Sequence, residues 1–346
     1  MNKNNRIEYI SLASVLSAIA VIYLHANGCF WTFSTSRYWI TANIIESVFY
    51  FAVPIFFMIS GAMLIDFNKK YSLKEYFQKR VYKTLIPYIV WSFIGLAIQL
   101  FYIHNVSLSS VDLIYIVNGL LNGNLVQIYW FFIPLFCIYL CIPVFAAISD
   151  DKKKDIFTYL AIGTFVLNIL IPFLISVFQI PITFPISIQV MGGNLFFTVV
   201  GYLLHKYDLL KKYKFIIYFL ALVGLMLHIG GTYHLSMAAG EIVKTYKGYM
   251  NLPCVLYSIG VFTFIKYDLV NILKFDIISK MVKYLDFYTF GIYLIHWYVI
   301  KFLDITFKLN STSIIYRLFL PIIVLIMSVI VIYAIRKIPI IRNILP

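Results

Sequence analysis

The stretch IEYISLASVLSAIAVIYLHANGCF (residues 7–30) decides the class of this chain. Its apolar part, Ile7–Leu24, is long enough to cross a hydrocarbon core of about 30 Å. It lacks a small-residue cleavage site and is too long for a signal peptide, so it reads as a retained helix. Nine more apolar runs follow, at about 42–65, 81–103, 128–148, 156–178, 189–205, 214–231, 250–266, 283–304 and 314–335. The 346 residues are 62% hydrophobic and only 12% charged, too little charge to cover a soluble protein of this size. No polar stretch is long enough for a soluble domain. The expectation is an all-α polytopic membrane protein of about ten transmembrane helices, one integral-membrane domain over residues 1–346.

The net charge of +14 is distributed as topogenic charge, and binding to nucleic acid is not expected. Of the 28 lysines and arginines, only Arg37, Lys244, Lys247, Lys301, Lys308 and Arg317 fall on one side of the ten-span scheme. The other 22, among them Lys3, Arg6 and Arg342, fall on the opposite side. Positive charge marks the cytoplasmic face, so both termini are expected there and the first helix runs outward. The segment 104–127 has no Lys or Arg. It suits a mouth for a neutral or lipid-linked ligand, or an ordinary connector. The four cysteines show no CxxC or His/Cys metal spacing, so they read as packing residues and no metal is expected.

Ionisable groups at membrane depth are costly and therefore functional candidates. His25 lies about 16 residues beyond Tyr9, roughly 24 Å along a helix rising about 1.5 Å per residue. Glu46 matches it in depth on the second helix. A hydrogen bond from Glu46 would hold the imidazole in one tautomer, as general bases are commonly oriented; otherwise both groups are interfacial polar residues. His296 is either a second polar group in the same cavity or a helix–helix hydrogen-bond partner. On the cytoplasmic side, Lys79, Arg80 and Lys83 form a basic cluster. It either anchors a helix among anionic lipids or holds the phosphates of an anionic cosubstrate.

Four stretches, in order, resemble the integral-membrane acyltransferase family 3, which includes bacterial surface-polysaccharide O-acetyltransferases. VPIFFMISGAML (53–64) is similar to its second-helix signature and KRVYKTLIPYIVWS (79–92) to its basic approach to helix 3. YWFFIPLFCIYLCIP (129–143) resembles its Trp-containing fourth helix, here carrying Trp130, and FGIYLIHWYVI (290–300) its late segment with Tyr293 and His296. The resemblance implies that His25 is the catalytic base and that Arg80 lies on the acyl-CoA side. Two positions depart from the pattern. Ser14 stands where the family usually has an arginine eleven residues before the histidine, and Gln127–Tyr129 offers no histidine before the Trp.

The implied activity is O-acyl transfer, with acetyl as the group, from cytoplasmic acyl-CoA to a hydroxyl of a surface glycan or lipid-linked sugar. Acyl-CoA is then a cosubstrate, with no permanently bound cofactor, and the protein sits among the lipids of a bacterial plasma membrane. Arg80 and Lys83 would hold the nucleotide end, and Tyr293, His296 and Trp130 would face the substrate cavity. The alternative is a multi-pass exporter of glycan intermediates, which the Ser14 departure favours.

Overall fold

The computed structural model describes residues 8–208, 210–338 and 344–345. Lys3, Arg6 and Arg342 lie outside the described residues. Fifteen α-helices follow one another, with no strand among the described residues. The first five are α1 (Glu8–Ala26), α2 (Arg37–Phe49), α3 (Ala52–Leu64), α4 (Leu73–Arg80) and α5 (Ile86–Ile98). Next come α6 (Leu113–Asn122), α7 (Phe132–Ala146), α8 (Asp150–Thr164), α9 (Ile171–Val177) and α10 (Leu195–Tyr207). The last five are α11 (Lys214–Ala239), α12 (Leu252–Tyr267), α13 (Asp276–Asp286), α14 (Thr289–Phe307) and α15 (Ile314–Arg336). Several join into longer helices: α2 with α3 over Arg37–Lys69, and α4 with α5 over Leu73–Ile103. Among the described residues nine helices are long and apolar enough to cross a membrane. The run expected at 189–205 is α10, a 13-residue helix whose residues Leu195–Leu204 are all buried. The chain is thus an all-α polytopic membrane protein.

Local sequence explains the joints. Ser72 accepts a hydrogen bond from the Glu75 amide while Glu75 bonds back to the Ser72 amide, so the third span begins at Leu73 rather than near 81. The α2–α3 break falls at Tyr50–Phe51. Pro54 has no N–H for the Tyr50 carbonyl, so the α-helical ladder is interrupted there. Tyr257 of α12 braces the bend by donating to the Val48 carbonyl at 2.9 Å. Within 104–127, Asp112 caps α6 by accepting from the Tyr115 amide, and Gly123 closes it at φ +66°.

Packing centres on α1, whose membrane-length window is 78% buried, against 22% for the span containing α11. The peripheral helices therefore carry most of the outward-facing apolar side chains. The α3–α10 crossing is tight because of two glycines. A Cβ on Gly61 would lie 1.7 Å from the Thr198 carbonyl oxygen, and one on Gly201 would lie 2.2 Å from that of Met58. Small residues let backbones approach in this way, which replaces the hydrophobic drive that lipid removes.

Helices α1 and α14 run parallel, joined by polar contacts. Ser14 donates to Thr289 (3.2 Å) and His25 meets His296, while Ser11 donates to Asp286 at the end of α13, just before α14 (2.8 Å). Where α1 begins, Asp66 gathers Lys153 (3.0 Å), Lys206 and Tyr202 (3.0 Å). Of the four cysteines only Cys254 is fully buried; Cys137 is exposed.

Candidate active site

A cavity of about 630 Å³ opens at the C-terminal end of α1. Its wall is built from the end of α1 and the turn after it, the α2–α3 bend, the 127–131 turn, Tyr249, and one face of α14 continuing through Ser311 to Tyr316 in α15. His25 lines it, and so do Glu46, Trp130 and Tyr293. His296 does not: it is fully buried behind the wall and meets the cavity through His25.

The geometry fixes the tautomers. His296 Nδ1 lies 2.9 Å from the Ile292 carbonyl oxygen, which can only accept, so Nδ1 carries a proton. Nε2 of the neutral ring is then an acceptor. His25 Nδ1 lies 2.7 Å from it, so His25 donates. The two ring planes differ by 13°. His25 therefore keeps its Nε2 lone pair free, on a ring partly open to the cavity.

This corrects the expected role of Glu46. His25 Nδ1 is taken by His296, one of the two roles foreseen for that histidine, and Glu46 has other partners. Its Oε2 accepts from Asn27 Nδ2 at 3.3 Å, and its Oε1 lies 3.5 Å from Lys247 Nζ. Both members of this ion pair are buried. Burial pushes the Lys247 ammonium below the usual lysine range, and the Glu46 carboxylate opposes that shift. Sequence reasoning missed Lys247. The available signal was a lysine, three residues after Lys244, on the face otherwise poor in positive charge.

Tyrosines brace the wall. Tyr293 donates to the Ile128 carbonyl (2.6 Å) and Tyr129 to the Leu294 carbonyl (2.7 Å), so the 127–131 turn and α14 are tied in both directions. Trp130 stacks on Tyr249 with centroids 5.7 Å apart, and Tyr249 on Tyr50 at 4.4 Å.

Arg80 and Lys83 are not part of this cavity. They sit near the end of the bundle where α1 begins, at the π-helical turn Val81–Leu85. The Arg80 guanidinium lies 5.2 Å from the Tyr139 ring centre and 5.6 Å from that of Tyr76, with its Nε buried and unpaired. Lys83 is exposed. Ser14, at the expected arginine position, is buried against Thr289 and brings no cation.

An imidazole with a fixed free nitrogen in a half-apolar cavity is equipped to take a proton from a hydroxyl. Neither a curated protein nor a solved structure gives a significant match to the chain. A family model described as an acyltransferase domain matches residues 7–337, nearly the whole sequence. The chain therefore belongs to the acyltransferase-3 family and is a membrane acyltransferase.

Proposed function

We propose that the enzyme transfers an acetyl group from cytoplasmic acetyl-CoA to a hydroxyl of a surface or lipid-linked glycan, with His25 as general base. The observation that carries this reading is the Ile292–His296–His25 relay, which leaves His25 Nε2 as the proton acceptor beside the cavity. In the step, Nε2 takes the proton as the acceptor oxygen attacks the thioester carbonyl. The C–O bond forms, the C–S bond breaks, and the proton passes to the departing CoA sulfur. The His296 relay stabilises the transient imidazolium. Base assistance of this kind contributes roughly 10²–10⁴-fold.

Arg80 and Lys83 suit the anionic nucleotide end of the donor, since a guanidinium pairs well with phosphate and Arg80 retains a spare donor. They stand far from His25, so the donor would reach across the bundle, its acyl end toward the cavity. If the lysine- and arginine-rich face is cytoplasmic, as its charge suggests, this basic cluster would lie where acetyl-CoA is made. The exporter reading gives way to the family match, which is to an acyltransferase.

The test is His25→Ala in membranes that retain the folded protein, with glycan acetylation measured against wild type. Loss of at least about 10²-fold is expected; unchanged acetylation would remove His25 from the mechanism.

A further inference from the structure

The buried pair Glu46–Lys247 has no part in the relay, and its cost calls for a reason. Burying two ions costs several kcal/mol each, and apolar residues of like size would commonly be as stable or more so. Glu46 is 2% and Lys247 3% exposed. The lysine enters from the 240–251 connector and sits against the faces of Tyr50 (3.9 Å) and Phe30 (4.6 Å). Its Nζ has no hydrogen bond of good geometry. Asn27, the other partner, continues the α1 backbone ladder through its bond to the Tyr23 carbonyl (3.0 Å). Only Ala26 separates it from His25, so it registers the Glu46 carboxylate against the base.

Both contacts to Glu46 are long, at 3.3 and 3.5 Å, and a carboxylate has about four lone-pair sites. Acceptor capacity therefore remains on a group that lines the cavity. Beside it stands the Tyr50–Tyr249–Trp130 stack, all three rings lining the same cavity. A fixed carboxylate in a cavity also lined by Trp130, the end ring of that stack, matches a neutral polyhydroxylated ring, with hydroxyls donating to the oxygens and its C–H face on the outer face of the indole.

We propose that Glu46 binds acceptor hydroxyls flanking the one that reacts, and that Lys247 is the positioning residue that holds Glu46 for this task. The proposal rests on the acyl-transfer reading for its purpose but is tested by binding. Octyl β-glucoside, below its micelle concentration, is titrated onto the full chain in lipid nanodiscs and followed by tryptophan fluorescence, with octanol as the control for partitioning. Acetyl-CoA binding is measured in parallel.

Wild type is expected to bind the glucoside in preference to octanol. Glu46→Gln and Lys247→Met should weaken it by about 10- to 100-fold, the effect of losing a hydrogen bond to a charged group. Lys247→Arg should restore much of the affinity, and acetyl-CoA binding should be unchanged throughout. The proposal is overturned if wild type does not prefer the glucoside or if both variants bind it as wild type does. It is also overturned if glucoside and acetyl-CoA binding fall together, the mark of a merely structural pair. Failure of the acyl-transfer reading shows separately, as acetylation indifferent to His25→Ala while the binding pattern stands.

Discussion

One backbone carbonyl, that of Ile292, determines which nitrogen of His25 is free, because it fixes the His296 tautomer. His296→Phe should therefore lower acyl transfer without lowering the amount of folded protein. The loss lies between about 10- and 10⁴-fold, the upper figure being that of a protease triad whose histidine is left in the wrong tautomer. His296→Gln, whose side-chain oxygen can still accept from Nδ1, should retain more activity than His296→Phe in the same membrane assay. His25 was legible in the sequence because an imidazole at the end of an apolar run is unusual. Its partner was not. Depth along a helix follows from residue count, but the direction a side chain faces depends on which neighbour it packs against. Glu46 has the right depth and other partners; His296 comes from a helix 271 residues later and faces the ring. Lys247 was hidden for a similar reason, since nothing local shows that a connector lysine folds back under an aromatic cluster.

At the scale of elements, the α3–α10 crossing makes the sharpest prediction. Gly61→Ala inserts a methyl where the Thr198 carbonyl already lies, so the helices must separate. A cost of about 1–3 kcal/mol or more is expected, seen as a lower unfolding temperature in detergent. Gly230→Ala is the control. A Cβ there meets nothing within 4 Å, and a mid-helix glycine gives way to alanine with a gain of about 0.5–1 kcal/mol. Equal destabilisation by the two would mean that the crossing is looser than its geometry. The sequence announced most helices through apolar runs, because a membrane span must satisfy its backbone internally. Boundaries were less legible: the Ser72–Glu75 capping box was present in the chain but lay outside the apolar run used to place that helix.

For the whole molecule, the asymmetry of lysine and arginine predicts orientation. In a chain whose four native cysteines are replaced, Ser311→Cys at the cavity mouth should react with a membrane-impermeant maleimide added to intact cells. Lys154→Cys should react only after permeabilisation. The reverse pattern would turn the protein over and put His25 on the cytoplasmic side. Architecture was readable at this scale because lipid allows so few solutions; the cavity was not, since it exists only where five distant segments meet. The span of 271 residues between His25 and His296 also bears on biosynthesis. The first helix leaves the ribosome early, yet its imidazole waits for α14 before its proton is placed. A chain cut short of that helix should be inert even when α1 is well inserted, so activity itself reports that insertion has run to completion.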